Sequence, residues 1–580
     1  MHRPGNCATL TLLWLLAPSA LARDPAATPI CGHHAAAVAP ASSGARAQPS
    51  AGCRRPRAGA SAEPPADLYS RDGRLALSLD YVSSVDGDGR TLFCFVTADG
   101  LESPTLHVRP GDSLDIALTN KTAPPPYVLA DRMVMGLGST VCGDAMADAS
   151  SVNLHFHGTT VMPTCHGDDV IHTSVNAGQT FAYHVTIPRD EPPGLYWYHP
   201  HIHGLAERAV QGGASGAIVV DGIEALQPIV ARLPARMLVV RDQTVAGEPK
   251  PGGAVPSWDL SLNYVPVAYP ALTPAVIRVR PGRREFWRVL NASADTVADL
   301  HLSYDGVDQP VWIVALDGTP TSSDNAAHPG RPLTSTDILI PAGGRAEFVV
   351  TTPSAAVRRA TLGTRTIDTG PAGDIEPART IAVLKPGDGA PDASPLPVLP
   401  ATAIAPAASG STPMEPGRIT GRRRLFFSED GSDDVAVGNP IQFAITVFGD
   451  TPKPFDPFGR PAIVTNQGSL EEWTIENRTR ETHEFHIHQL HFKLLRRNGV
   501  AVSQDEQQYL DTVQIPYWRG FGPYPNVTLL MDFRGEVTGD LLYHCHILQH
   551  EDKGMMAIVR VLPHVPGPVV LPLRVPDPRL

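Results

Sequence analysis

Three stretches of the chain share one pattern of hydrophobic and polar positions. Each has a strand rich in β-branched residues, a glycine turn, a second strand of alternating apolar and polar residues, and a final Asn. In every stretch the Gly precedes the Asn by nine positions, which predicts three repeats of a single β fold. The stretches are PTLHVRPGDSLDIALTN from Pro104, PAVIRVRPGRREFWRVLN from Pro274 and PAIVTNQGSLEEWTIEN from Pro461.

The spacing of the repeats sets the size of each domain. The turn glycines Gly111, Gly282 and Gly468 are separated by 171 and 186 residues (282 minus 111 and 468 minus 282). Each interval fits one Greek-key sandwich with its loops, and 580 residues exceed what a single hydrophobic core supports. We therefore predict an all-β protein of three Greek-key β-sandwich domains, at residues 67–225, 226–385 and 425–565.

Composition predicts what lies outside these domains. Residues 1–22 combine a basic residue, an apolar run and an Ala-Leu-Ala cleavage pattern, which predicts a secretory signal peptide and an exported protein, periplasmic or secreted. We expect no transmembrane segment, because no other stretch is long and apolar enough. The remaining segments are a disordered stretch at 23–66, a Pro/Ala-rich linker at 386–424 that ends in a solvated run of three arginines, and a Pro-rich tail at 566–580.

A formal net charge of −12 argues against nucleic acid as a binding partner. We expect the protein to be a monomer.

The cysteines can form disulfides only in part. Of the seven cysteines, Cys7 leaves with the signal peptide. Export permits disulfides, so we predict that Cys142 pairs with Cys165 and pins the insertion before His155 to the loop after it. The pairing of Cys31, Cys53 and Cys94 stays open, and the odd number leaves at least one thiol free or paired outside the chain.

The segment His544-Cys545-His546, followed by His550 and Met555, carries the strongest chemical signal. A blue-copper centre uses two His and one Cys in a plane with a weak axial Met. Cys545, His550 and Met555 supply three of these four ligands, so the second His must come from elsewhere. On a strand, Cys545 points to one face while His544 and His546 point to the other, so we expect these imidazoles to bind something beyond the metal of the thiolate.

Three further clusters place histidines two positions apart. Residues i and i+2 share one face of a strand, so each pair directs two imidazoles, which suit copper, toward one point. A single pair is more often a buried core feature than a metal site, but the four clusters together gather ten of the 22 histidines, which core packing does not explain. The three are His155-Phe156-His157-Gly158, His199-Pro200-His201 and His483-Glu484-Phe485-His486-Ile487-His488.

Together these motifs resemble those of the multicopper oxidases, the family of laccases, ascorbate oxidase and spore-coat-type laccases, over about residues 68–562. The resemblance implies cupredoxin-like domains and four coppers per chain: one type 1, one type 2 and two type 3. By motif, the type 1 ligands are His483, Cys545, His550 and axial Met555, the type 2 ligands are His155 and His486, and the type 3 ligands are His157, His199 and His546 for one copper and His201, His488 and His544 for the other.

Two details of this assignment stay open. The run from His199 to His203 permits a second frame that uses His203, although Trp197-Tyr198 matches the first frame of the family. Met556 competes with the axial residue, one position on and pointing the other way. Since the copper motifs lie in the first and third domains only, we expect those two to touch and the second to act as a spacer that bridges them.

Reducing dioxygen to water consumes protons, so a titratable group must lie near the histidines. Glu551 follows His550 directly and matches, by resemblance to the spore-coat-type laccases, a glutamate assigned to proton transfer. Asp169, downstream of the His155 cluster, is the other predicted catalytic acid, with Asp168 as its less favoured neighbour. The alternative for Glu551 is a solvated loop acid, because adjacency in sequence does not fix the direction of a side chain.

The resemblance implies an oxidoreductase whose partners are a small-molecule reducing substrate and O2. We expect one-electron oxidation of phenols or aromatic amines at the type 1 copper, with Cys545 passing electrons through its neighbours to the site of dioxygen reduction. The alternatives are a metal-ion (cuprous) oxidase in copper homeostasis, a non-catalytic copper-binding periplasmic protein and a copper nitrite reductase. Phenols are favoured over metal ions because Met133, Met135, Met146 and Met162 form no dense methionine run.

Overall fold

A computed structural model of the chain describes residues 52–123, 142, 147–246, 255–323, 330–387, 417–431 and 441–564. The predicted signal peptide, Cys31, three of the four methionines named above (Met133, Met135 and Met146), most of the predicted linker and the predicted tail lie outside the described residues. Within the described residues the chain is nearly all β-strand, which confirms the predicted fold class. Every helix found there is too short or too polar to cross a lipid bilayer.

The first pair of sheets spans residues 67 to 220. One sheet holds, in spatial order, β1 (Asp67–Tyr69), β4 (Thr105–Val108), β9 (Gly216–Val220), β8 (Gly194–His199) and β6 (His155–His157). The other holds β3 (Thr91–Thr97), β2 (Arg74–Val85), β5 (Ser113–Asn120) and β7 (Thr180–Thr186). Helix α1 (Ala206–Gln211) follows the strand that ends at His199.

The second pair of sheets spans residues 235 to 386 and follows two short 3-10 turns at Ile223–Ala225 and Pro228–Val230. One sheet holds β12 (Val265–Val267), β11 (Trp258–Leu262), β10 (Ala235–Thr244), β14 (Arg284–Asn291), β21 (Arg345–Thr351), β17 (Val311–Leu316) and β18 (Thr319–Pro320), with β19 (Leu333–Ser335) on β17. The other holds β13 (Ala275–Val279), β23 (Arg379–Pro386), β22 (Ala360–Thr364), β15 (Ala298–Tyr304) and β16 (Val307–Asp308), with β20 (Ile338–Ile340) on β15.

The third pair spans residues 421 to 562. One sheet holds β25 (Gln442–Val447), β24 (Gly421–Asp430), β27 (Leu470–Asn477), β33 (Asn526–Asp532), β29 (Phe492–Arg497) and β30 (Val500–Ala501), with β31 (Tyr509–Leu510) on β29. The other holds β26 (Ile463–Asn466), β35 (Met556–Leu562), β34 (Gly539–Cys545), β28 (His483–Ile487) and β32 (Thr512–Ile515). Helix α2 (Leu548–Asp552) lies between β34 and β35.

The repeated sequence unit carries the chain from one sheet of each pair to the other. Its two strands are β4 and β5, β13 and β14, and β26 and β27, and the glycines between them all have positive φ, at 91°, 67° and 94°. The final Asn of each unit is fully buried, and its side-chain amide donates to main-chain carbonyls. Asn477, for example, donates to Glu481 and Ile515, which ties the strand end to the loop that precedes His483.

Two predicted segments differ from what the structure shows. The prediction of disorder at 23–66 is wrong for residues 52–66, because a disulfide joins Cys53 to Cys94 and Ala62 packs, 3% exposed, in the core of the second sandwich. The end of the predicted linker is also wrong, since Gly421 already begins β24. Its arginines are ion-paired rather than solvated, for instance Arg423 with Glu471 at 2.7 Å. The predicted disulfide between Cys142 and Cys165 is confirmed.

Candidate copper centre

Three predicted type 1 ligands meet inside the third sandwich. Strand β28 pairs with β34, and His483 thereby lies beside Cys545, while α2 brings back His550. The Nδ1 atoms of the two histidines are 3.1 Å apart, and each lies 3.6 or 3.7 Å from the Cys545 Sγ. Burial raises the pKa of the Cys545 thiol and disfavours a free thiolate, whereas a bound cation would favour the thiolate form. Two imidazoles and one buried thiol suit copper.

The two neighbouring methionines lie on opposite sides of the strand. Met555 is fully buried in the core cluster that contains Cys545, and its main chain bonds to both Cys545 and His550. Met556 packs instead with Val170 and Leu542, away from the thiol. The structure therefore places Met555, and not its neighbour, on the side of the predicted axial position.

The other eight histidines form one buried cluster between the first and third sandwiches. Strands β6 and β8 set His155 opposite His199, and strands β28 and β34 set His486 opposite His544. The Nε2 atom of His544 lies 3.3 Å from that of His201 and 3.2 Å from that of His488. Groups whose ligand atoms lie within 4.8 Å of one another are His157, His199 and His546; His201, His488 and His544; and His155, His157 and His486.

The donor atoms of this cluster fit bound metal. Buried imidazole nitrogens that have no hydrogen-bond partner among the described residues include His155 Nε2, His157 Nδ1, His199 Nε2, His486 Nε2 and both nitrogens of His546. Leaving so many buried polar atoms unpaired is costly, and metal ligation removes that cost. Burial and the neighbouring imidazoles lower the pKa of His155 and His544 well below the usual value, so these rings are neutral and able to ligate.

The opposite nitrogen of several rings is held by an oxygen. His155 Nδ1 contacts Asp168 at 2.9 Å, and His199 Nδ1 and His544 Nδ1 each contact a main-chain carbonyl at 2.9 Å. Such contacts fix the tautomer and the orientation of a ligating imidazole. His203 packs against Phe455, with ring centroids 5.3 Å apart, whereas His199 and His201 face the cluster.

Of the two neighbouring aspartates, Asp168 and not Asp169 contacts a predicted copper ligand. Asp169 bonds at 2.9 Å to His172, which is not a predicted copper ligand, so this contact lends no support to its predicted role at the dioxygen site. Asp168 is fully buried, and besides His155 it accepts from the main chain of Phe156 and from Gln489. Burial raises the pKa of Asp168 well above its usual range. The two residues are adjacent and point in opposite directions, which sequence alone does not reveal.

Glu551 is buried, as the proton-transfer hypothesis requires, and is not a solvated loop acid. Its two carboxyl oxygens lie 3.6 Å from His201 Nδ1 and His544 Nδ1. Burial, reinforced by the charge of Asp552, raises the pKa of Glu551 well above its usual range. Burial therefore favours the protonated form of this carboxyl group, which lies at the edge of one histidine triad.

Four functional residues are absent from the sequence prediction. Glu481 lies 3.1 Å from His550 Nε2, and Glu429 lies 3.3 Å from His483 Nε2. Asp511 contacts His157 and is paired with the buried Arg345 of the second sandwich. Burial opposes ionisation of Asp511, but Arg345 and His157 hold the pKa of its carboxyl well below the usual range. Of these four residues, only Glu481 lies close enough to a histidine motif, two positions before His483, to be found from the sequence.

Comparison with known proteins supports the predicted family. Two family models described as multicopper oxidase match residues 146–224 and 434–565, which contain every predicted copper ligand. Both ligand-bearing regions of the chain are thus multicopper oxidase domains by similarity. The chain is 34% identical over 113 residues to the multicopper oxidase of Staphylococcus aureus, a region covering 19% of this chain and 23% of that relative. It is 24% identical over 409 residues to the laccase of Bacillus stratosphericus, covering 64% of this chain and 71% of that protein.

Solved multicopper oxidases share the fold. The enzyme from Aquifex aeolicus superposes with a TM-score of 0.62 at 18% identity, covering 87% of this chain and 99% of that chain. A metallo-oxidase from Campylobacter jejuni gives 0.62 at 19% identity, covering 88% and 96%. These likenesses establish the cupredoxin-like fold. The matched region spans under a quarter of the Staphylococcus aureus relative.

Proposed function

We propose that this protein is a laccase-like multicopper oxidase that couples one-electron oxidation of phenols or aromatic amines to four-electron reduction of O2 to water. The observation that carries the proposal is the position of Cys545 between His544 and His546. Cys545 lies in the type 1 group, while each neighbour belongs to a different histidine triad. One tripeptide therefore joins an electron-accepting site to both halves of a second metal site.

Copper, when bound, would supply the redox chemistry: one-electron acceptance from the substrate and reduction of dioxygen. The residues that would hold it are His483, Cys545, His550 and Met555 for type 1, His155 and His486 for type 2, and His157, His199, His546, His201, His488 and His544 for the type 3 pair. Four coppers per chain follow from this ligand assignment.

The chain contributes orientation, burial and protons. All eight cluster histidines are at most 2% exposed, so bulk water is excluded from the place where dioxygen would react. The carboxyl oxygens of Glu551 lie 3.6 Å from two ring nitrogens, and burial favours the protonated form that could donate there. Asp168 keeps His155 in one tautomer, with Nε2 directed into the cluster.

The outer edges of the type 1 imidazoles are where a reducing substrate would dock. The His483 Nε2 lies 2.8 Å from the hydroxyl of Thr479, and the main chain of Thr479 accepts from Trp518 at 2.9 Å. Trp518 begins an aromatic surface loop in which Phe521 is 75% exposed and Tyr524 is 37% exposed. Exposed rings on a loop whose main chain bonds to Thr479 favour aromatic substrates. A structural relative from Ochrobactrum, with TM-score 0.61 at 21% identity, covering 86% of this chain and 99% of that chain, is described as oxidising lignin model compounds.

A second candidate activity is oxidation of a metal cation such as cuprous ion. Glu481 and Glu429, beside the Nε2 atoms of His550 and His483, would attract a cation to the same edge. The metallo-oxidase from Campylobacter jejuni is 19% identical to this chain, and that likeness shows the fold alone. A non-catalytic copper-binding role is disfavoured by the complete ligand set. Export to the periplasm or the medium, as a monomer, remains our proposal, and two disulfides support it.

Oxygen uptake by copper-loaded protein tests the activity and separates the substrates. We expect uptake with a phenol and with an aromatic amine, and loss of both in Cys545→Ser. Glu481→Gln should leave phenol oxidation within about threefold if aromatic rings dock on the loop. A much larger loss of cuprous oxidation in that variant, with faster wild-type turnover on cuprous ion than on phenol, would instead establish the metal-oxidase alternative.

A further inference from the structure

The second sandwich holds none of the predicted copper ligands, yet one of its side chains reaches the ligand cluster. Arg345 is the first residue of β21 and is 1% exposed. Its Nη1 and Nη2 donate to the two carboxylate oxygens of Asp511, at 2.8 Å and 2.7 Å. Such a two-bond fork fixes the plane of a carboxylate, which a single point charge cannot do.

Asp511 in turn contacts two predicted ligands from different domains. Its Oδ1 lies 3.3 Å from His157 Nε2, so the proton of that ring sits on the carboxylate side and Nδ1 faces the cluster. Its main-chain oxygen lies 2.8 Å from His486 Nδ1, which leaves Nε2 of that ring facing the same cluster. One residue therefore orients a histidine of the first domain and a histidine of the third.

Two glycines, Gly158 and Gly343, lie so close to this arrangement that neither position has room for a side chain. A Cβ atom on Gly158, the glycine that closes the His155 motif, would lie 2.2 Å from Arg345 Nη2 and 2.6 Å from Asp511 Oδ2. In the turn before β21, a Cβ atom on Gly343 would lie 2.6 Å from the His546 ring. Both glycines have positive φ. The second sandwich thus packs directly against the ligand cluster on two sides.

We propose that Arg345 is a positioning residue for the trinuclear copper site, acting through Asp511 to hold His157 and His486. The second domain is then part of the machinery and not only a spacer between the other two. The inference rests on the proposed function, since it assumes that copper binds at these histidines. It assigns to Arg345 no contact with copper or dioxygen.

Arg288, on the neighbouring strand β14 of the same sheet, provides a matched control for a purely structural role. Arg288 pairs with Glu347 at 2.8 Å, and Glu347 accepts from the main-chain nitrogen of Leu195 at 2.9 Å. Arg345 Nε donates to the carbonyl of that same Leu195 at 3.0 Å. Both arginines thus belong to buried ion pairs that hydrogen-bond to the main chain of Leu195 in strand β8. Only the Arg345 pair continues to the ligand histidines.

The test compares Arg345→Lys with Arg288→Lys in the copper-loaded full chain. Lysine keeps the charge and loses the fork. We expect Arg345→Lys to release cluster copper to a chelator about 10-fold faster or more, and to alter the electron paramagnetic resonance signal of the type 2 copper, as loss of a group that orients ligands does. The blue absorbance of the Cys545 site should stay unchanged. Arg288→Lys should release copper within about twofold of the wild-type rate.

The outcomes separate this inference from the function beneath it. Wild-type protein without blue absorbance or oxygen uptake would end the proposed function. A normal wild type with equal copper release and equal resonance signals in both variants would overturn the role of Arg345 alone. If Arg345→Lys yields no soluble protein, Asp511→Asn carries the same test, because it keeps the main-chain oxygen that holds His486. Wild-type copper retention in Asp511→Asn would also overturn the inference.

Discussion

Replacing Glu551 by Gln removes a titratable proton from the edge of the histidine cluster with little change in shape. The side chain is fully buried, and its oxygens lie 3.6 Å from His201 Nδ1 and His544 Nδ1. Gln has nearly the same volume, so no cavity forms. Since neither carboxyl oxygen is assigned to copper, the metal content and the blue colour should survive the substitution.

The size of the defect follows from the distance. A positioned proton donor contributes about 10²- to 10⁴-fold to a rate when it reaches the reacting atom directly or through one water. The contacts of Glu551 exceed direct hydrogen-bond length, so a water would complete the path and the lower end applies. We therefore expect reoxidation by dioxygen to slow by about 100-fold, which corresponds to about 2.7 kcal/mol in the activation barrier.

Stopped-flow kinetics measures the two half-reactions separately. Reduction of Glu551→Gln by a phenol should proceed at the wild-type rate, because Glu551 does not contact the Cys545 site. Reoxidation should be slow, and the defect should grow with pH. The reason is that burial raises the pKa of Glu551, so the wild-type group still carries its proton where free protons in water are already scarce.

Asp169→Asn provides the control. Its carboxylate bonds to His172, which is not a predicted copper ligand, so reoxidation should stay within about twofold of the wild-type rate. Normal reoxidation in Glu551→Gln, or an equal slowing in Asp169→Asn, would refute the assignment. Asp168, which holds His155, would then be the next residue to test.

Three further predictions address the metal sites and their frame. Cys545→Ser should lose the blue band and substrate oxidation while the cluster keeps its copper; retention of the band in visible spectra would contradict the type 1 assignment. Met555→Leu should raise the type 1 potential and Met555→Gln should lower it in redox titrations. Met556→Leu should change the type 1 potential little, because Met556 packs on the side of the strand away from Cys545. Gly158→Ala should cost about 1 to 3 kcal/mol beyond Gly178→Ala in urea unfolding, since both glycines have positive φ but only Gly158 is crowded. Equal losses would contradict the packing argument.

Strand periodicity predicted the parts of the site that repeat locally. The alternation of side chains along a strand placed His544 and His546 away from Cys545, and the shared face of positions i and i+2 paired the remaining histidines. The same reasoning recovered the three repeat units, because each needs a turn glycine and a buried Asn at fixed spacing.

Contacts between distant segments were beyond such reasoning. Arg345 and Asp511 are separated by 166 residues (511 minus 345) and belong to different domains, so no local pattern joins them. The order of Asp168 and Asp169 depended on which of two adjacent residues turns inward. The Ala- and Pro-rich stretch before residue 67 has a disordered composition, yet Cys53 and Ala62 fix part of it to two domains.

The division of the histidine cluster between two domains has a consequence for the order in which the protein matures. His201 and His486 are 285 residues apart (486 minus 201), with the whole second sandwich between them. Domains generally fold in the order in which they are synthesised. The first domain therefore completes its fold with only part of the ligand set of each shared metal site. Copper meets the complete cluster only after the third domain has docked, in whichever compartment the finished chain folds.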